Sequence, residues 1–443
     1  MSLGQQTRSE CTGRRLQFVY VLCVLLITPC SNAQAPASAG RPVGQQPDGP
    51  QLRGTAGQEL SAAKGPPVSW SGTDAIRWKT RVPGSGWSSP VTDGTTVWLT
   101  SCLVQDNSLW VYGIDFATGE IRHEIEVIRK PELGGIHEKN THATPTIALM
   151  HDRLIAHFGT HGTVCLSTSG RILWKSELVY YHHHGPGSSP VVDPDQVYLI
   201  CDGYTGPFYD QQVRLVADRQ FVAALEISTG NVVWKKNRPG RHAYATPLLV
   251  KGDAGSQLIS PGGDRVVAYD PVDGREVWWC GYDGYSLVAR PVIGHGLVLI
   301  STGYDVPTLL AIRIDGHGDV TNSHVAWRLT EGAPLNSSPI IVGEEVYFVS
   351  DNGVAQCLDV HTGARHWRNR LTGNHSSSPL YADGMIYFTS ETGGVQVIRA
   401  GKEFDRVARN RVNGRSMASP AVYGKSLLFR TDRFLYRLDK SAP

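Results

Sequence analysis

Ser188-Ser189-Pro190-Val191-Val192 is one of eight copies of a single phrase: a small or hydroxyl-bearing residue, a proline, then an apolar pair. The prolines are Pro90, Pro145, Pro190, Pro247, Pro291, Pro339, Pro379 and Pro420. A second phrase travels with the first, an apolar pair, a tight turn and then tryptophan, as in "LEISTGNVVW" at 225–234 and "LDVHTGARHW" at 358–367. Trp78, Trp174, Trp234, Trp278, Trp327 and Trp367 hold the last position, with His123 and Ala408 in the two weak copies. Periods of this length mean stacked units, because one unit cannot bury its own faces.

Each copy reads as four strands. The first starts at the Ser-Pro anchor, the second is an aromatic-aliphatic run such as "VYFVS" at 346–350, and the third is a run such as "AQCLD" at 355–359. The fourth ends at Trp, and Thr-Gly or Asp-Gly before it supplies the positive φ of a short hairpin. Stacking sheets in a closed ring removes the exposed ends of a linear array. The phase shows how the ring closes: the chain opens with a lone fourth strand, "AIRWKT" at 75–80, and stops after a third strand, "FLYRLD" at 434–439. Pairing the two predicts an all-β, eight-bladed β-propeller of four-stranded antiparallel blades over residues 70–440, fastened by its own ends.

Arg14 and Arg15 precede an apolar run from Leu16 to Thr28, and Ala33-Gln34-Ala35 follows with small residues. Residues 1–35 therefore read as a signal peptide, too short for an ordinary membrane span. Cys30 stands after a weak lipobox, Ile27-Thr28-Pro29. Residues 36–69, rich in Ala, Gly, Pro and Gln, read as a flexible linker. These features predict an exported protein of the periplasm or bacterial cell envelope, with no transmembrane segment in the mature chain and a monomeric state. A formal net charge of +2 gives no electrostatic pull toward nucleic acid. Three of eight cysteines fall in the signal; Cys102, Cys165, Cys201, Cys280 and Cys357 remain, isolated within apolar strands, as small buried side chains usually are.

The spacing "LD-x-x-TG-x-x-x-W", repeated with the Ser-Pro anchor over nearly all of 70–440, resembles the tryptophan-docking repeat of the PQQ-like propeller superfamily. That superfamily includes quinoprotein alcohol dehydrogenases and the propeller lipoprotein of the outer-membrane β-barrel assembly machinery. The resemblance implies two roles. One is a binding or scaffolding module for a protein or cell-envelope polymer. The alternative is an enzyme using the central funnel, as a quinone-dependent dehydrogenase or a carbohydrate hydrolase or lyase. The quinone enzymes stack their cofactor on a ring made by two adjacent, disulfide-bonded cysteines, and no such pair exists here. The reading is a binding module with no cofactor and no catalytic residue assigned.

In such a ring the links from fourth to first strand, and from second to third, open on one face. The residues before each anchor then converge on a funnel. Trp87, His142, His182, His184, Arg241, Tyr244, Tyr285, Asn336, His375 and Arg415 are the candidates for binding a polar ligand. His182 and His184, two apart, are expected to point the same way from an exposed loop. His142 or His137 could join them, but no zinc or calcium motif is present and no metal site is assigned. Imidazoles titrating near pH 6.5 would favour an anion as pH falls.

Overall fold

The computed structural model describes residues 60–440 apart from 62, 72–73, 181, 183, 204–219 and 253–254. The signal, most of the linker and Cys30 lie outside the described residues. Among them are eight sheets, each a meander of neighbouring strands. Blade 1 runs through Val91–Thr92, Thr96–Leu103, Ser108–Asp115 and Ile121–Arg129. Blade 2 comprises Ala148–Met150, Arg153–His157, Thr163–Ser167 and Ile172–Ser176. Blade 3 comprises Val191–Val192, Gln196–Asp202, Gln220–Glu226 and Val232–Asn237. Blades 4 to 7 repeat the pattern from first strands at Leu248–Gly252, Val292–Gly294, Ile340–Val342 and Leu380–Ala382. Blade 8 has only Ala421–Tyr423, Ser426–Arg430 and Phe434–Leu438 from the C-terminus, and Ile76–Arg81 supplies its outer strand. Trp78 faces Arg437 and Arg81 faces Phe434 in that antiparallel pair. The expected closure is therefore the observed one. No helix among the described residues is long and apolar enough to cross a membrane.

The core is divided into wedges. Eight clusters of buried apolar side chains each draw on two adjacent blades, from blades 1 and 2 round to blades 8 and 1. The second and third strands are buried on both faces, which is why they lack polar alternation. Trp docks one blade on the next. The indole N–H of Trp78, Trp174, Trp234, Trp327 and Trp367 donates to a backbone carbonyl of the following blade, at 2.8–3.0 Å. The ring lies so close to the turn glycine that a Cβ at Gly119, Gly230, Gly274 or Gly363 would come within 2.5–2.7 Å of it. All four glycines have φ between 70° and 79°. Trp278 instead bonds Gln257 of its own blade, because Gly318–Asp319 lines the outer strand of blade 4 as a fifth strand.

The Ser-Pro anchor is an inter-blade clasp. Around the axis the N–H of Ser89 donates to the Thr146 hydroxyl, Thr146 to Ser189 and Ser189 to Thr246. Further round, Arg290 donates to Ser338, Ser338 to Ser378 and Ser378 to Ser419, at 2.8–3.0 Å. The buried Arg430 guanidinium reaches across to the Ser88 carbonyl at the seam between blades 8 and 1. This ring corrects one register. In blade 2 the clasp residue is Thr146, after Pro145, not the residue before it; the first strand starts two residues later, at Ala148, as in every other blade.

Residues 60–69, which composition assigns to the linker, are held against the ring. Leu60–Ser61 pairs in parallel with the inner strand of blade 7, and Lys64 bonds Asp383. Tyr387 donates to the Pro67 carbonyl, and Trp70 is buried against Phe429. The propeller therefore begins at least ten residues earlier than its first repeat.

Candidate functional site

Among the described residues, the links of blades 1 to 3 bring several histidines together on the funnel face. The link from blade 1 to blade 2 extends far enough to touch blade 7. Lys139 on it reaches Glu391 of blade 7 at 3.3 Å. Asn140 then ties it to the next link, donating to the carbonyls of His184 and Pro186. Under these two links the rings of His142, His161 and His182 meet, with centroids 5.2 Å and 5.1 Å apart along the series. The contact from His161 Nε2 to His142 Nδ1 is 3.3 Å. The Thr160 N–H donates to His182 Nδ1 at 3.2 Å.

The expectation that His182 and His184 point together is overturned. Gly185 turns the chain at φ 88° and donates to the His182 carbonyl, which breaks the two-residue alternation of an extended segment. His182 goes inward to His161 and the Tyr180 ring. His184 goes outward to His137, His242 and Tyr244. The aromatic arc continues from His242 to Tyr285 and Tyr304, with the Arg241 guanidinium 4.5 Å from the Tyr285 centroid. Arg241 is in turn paired with Asp264 and Asp283. Two of the ten candidates, His142 and His182, thus meet round His161, and four more, His184, Arg241, Tyr244 and Tyr285, belong to the outer arc.

The other four do not join it. Arg415 lies over Trp87 beside the seam, 5.8 Å from the ring centroid. Asn336 is bound to Asp351, whose carboxylate also accepts from the Leu335 and Asn336 amides. His375 is wholly buried and its Nδ1 bonds the Thr389 carbonyl, so it shapes the link from blade 6 to blade 7. His161 is the member that sequence reasoning missed. Every other blade has an acidic residue in or at the start of the link between second and third strands, at Asp106, Asp202, Asp264, Asp305, Asp351, Glu391 and Asp432; blade 2 puts Thr160-His161 there, and that exception is its signal.

Burial sets the electrostatics, and it corrects the picture of an exposed, protonatable loop. His142 and His182 are 3% and 7% exposed. Burial lowers the pKa of His142, and burial with the neighbouring His142 and Lys130 lowers His161 to about 4. Burial, then His161, holds His182 well below the usual histidine range. His157 beneath them is lowered to about 3 by burial, and its two nitrogens are within reach of Thr163 and Tyr180. Burial thus opposes protonation of these imidazoles, so falling pH favours an anion here less than it would at exposed histidines. Asp202, at the end of the second strand of blade 3, is buried against Arg238 and the Ala243 amide, and burial raises it to about 6.

A family model described as "PQQ_2: Outer membrane protein assembly factor BamB" matches residues 54–217, 218–318 and 313–440. The chain belongs to the PQQ_2 family. A curated relative, outer membrane protein assembly factor BamB of Nitrosomonas eutropha, is 23% identical over 180 residues. That alignment covers 37% of this chain and 40% of the relative's length. Among solved structures, BamB of Moraxella catarrhalis superposes with a TM-score of 0.58 at 15% identity, over 82% of this chain and 99% of that one. The quinohemoprotein alcohol dehydrogenase of Comamonas testosteroni does so with a TM-score of 0.62 at 10% identity, over 88% and 80%. At such identities the structural likeness is one of fold. The residues present do not fit a quinone held on adjacent cysteines: the five described cysteines are free, buried and in different blades.

Proposed function

We propose that this PQQ_2 chain is an exported binding module that holds a protein partner during assembly of the outer membrane, using the funnel face. The carrying observation is the family match across residues 54–440, to a family described as an outer-membrane assembly factor. The chemistry of the rim agrees with it. Val288, Tyr304 and Val306 project from that face at 40%, 57% and 68% exposure, next to the aromatic arc. Exposed aromatic and aliphatic anchors beside paired charges suit a protein surface.

Deleting the gene tests the reading. Folded β-barrel proteins in the outer membrane should fall, the native gene should restore them, and a Tyr304→Ala, Val306→Ser variant with unchanged melting temperature should restore them poorly. Undiminished β-barrel proteins in the deletion strain would overturn it. The dehydrogenase-like fold favours a second reading, quinone-dependent oxidation. Dye reduction with alcohols after incubation with PQQ and Ca²⁺ would support that one, and the cysteine placement speaks against it.

A further inference from the structure

We infer that His142, His161 and His182 form a binding site for a late first-row divalent transition metal, of the zinc and copper class. One donor nitrogen from each ring lies within 4.8 Å of the others. Imidazole is the donor that zinc and copper favour, and a calcium or magnesium site would need oxygen ligands instead.

The spacing of the first two donors already suits a metal. A tetrahedral zinc with bonds of about 2.0–2.1 Å separates its ligand nitrogens by roughly 3.3–3.4 Å. His161 Nε2 and His142 Nδ1 are 3.3 Å apart. With one metal between them, both present lone pairs inward; without it, one N–H must turn toward the other nitrogen. The Gly134 backbone also hydrogen-bonds the His142 ring. His182 must close by at most about 1.5 Å.

The surroundings are built around the third ring. Gly159 has φ 63°, and a Cβ there would lie 2.2 Å from His182 Nδ1. Only glycine leaves that nitrogen room. All three rings are buried away from bulk water. Three side chains supply three donors, which leaves a fourth position for solvent. Another cluster, His295, Glu344 and His361, sits exposed on the opposite face. There Glu344 and His361 form an ordinary surface pair at 2.6 Å, and that cluster serves as the internal control.

The test uses the mature, full-length chain, stripped with chelator, reloaded with Zn²⁺ or Cu²⁺ in separate arms and dialysed. Metal is then counted by mass spectrometry. The wild type and His361→Ala should each retain about one equivalent of at least one ion, and His161→Gln should bind at least about tenfold more weakly. The metal should raise the melting temperature of the wild type over its own stripped form and leave that of His161→Gln unmoved. Should that variant not fold, Co²⁺ bound to the wild type must show the intense visible bands of a four-coordinate, nitrogen-ligated ion. Retention of less than about a tenth of an equivalent by the wild type, equal retention by His161→Gln, or loss in His361→Ala alone would each overturn the site.

Discussion

Trp78→Ala is expected to weaken the ring at its seam. Trp78 is 8% exposed and is the side chain by which the N-terminal strand, paired with the last blade, docks on blade 1. Its ring lies over Gly119 and its N–H bonds the Phe116 carbonyl at 2.9 Å. Truncating a buried Trp to Ala costs about 3–5 kcal/mol, from lost burial and the cavity left behind. Relaxation is limited, because Thr80 bonds the Gly119 carbonyl and Arg437 covers Phe116 from the other side. Arg437 also donates to the Phe116 carbonyl at 2.7 Å, so the mutation leaves that acceptor partnered. The loss is therefore nearly all packing, about 4 kcal/mol. For a ring of this size that is roughly 5 °C in melting temperature. Differential scanning calorimetry reads it, with Trp327→Ala as a mid-ring control of the same chemistry. A loss below about 1 kcal/mol for Trp78→Ala, with the full loss for Trp327→Ala, would refute the seam.

Gly363→Ala should cost about 2–3 kcal/mol, since φ is 70° and the new methyl would meet the Trp327 ring; urea unfolding checks it. Ser378→Ala should cost about 1–3 kcal/mol by leaving the buried Ser338 N–H without its acceptor, and a neutral midpoint would contradict the clasp. Metal-stripped protein should lose stability on acidification from pH 6.5 toward 4. His161 and His157 titrate near 4 and 3 in the folded state against about 6.5 unfolded, so in that window the unfolded chain binds more protons. Asp202, raised to about 6, acts in the opposite sense below that pH, and His157→Gln should flatten the slope measured by urea midpoint against pH. Removing residues 60–71 should expose Phe429 and lower the melting temperature by several degrees, since the buried Trp70 leaves with them.

The ring was legible because its instructions are local and repeated. Each Thr-Gly turn carries the glycine that a docking Trp requires, and the orphan strand near Trp78 discloses the closure. The clasp was less so: aligning on Pro145 puts blade 2 two residues out of register, and the hydrogen bonds from Ser89 to Thr146 and from Thr146 to Ser189 correct it. Residues 60–69 read as linker because Ala, Gly and Pro carry no periodicity, yet Trp70 and the Asp383 contacts hold them through neighbours more than 300 residues away. The site was half visible. Position before the anchors brought His142, His182 and His184 to the right face. The burial of His142 and His182 was invisible, because it depends on how the links carrying Asn140 and His184 pack together. His161 lay hidden in a link that elsewhere carries an acid.

A protein held on the funnel face is tested most directly by crosslinking in living cells. A photoreactive phenylalanine analogue is placed at Tyr304, at Arg415, or at Val272, which is 72% exposed in a turn on the opposite face. Irradiation should join the chain to a protein of outer-membrane assembly from Tyr304 and Arg415, and not from Val272. Adducts from Val272 alone, or none from the funnel face in cells that still assemble their outer membrane through this protein, would contradict the account.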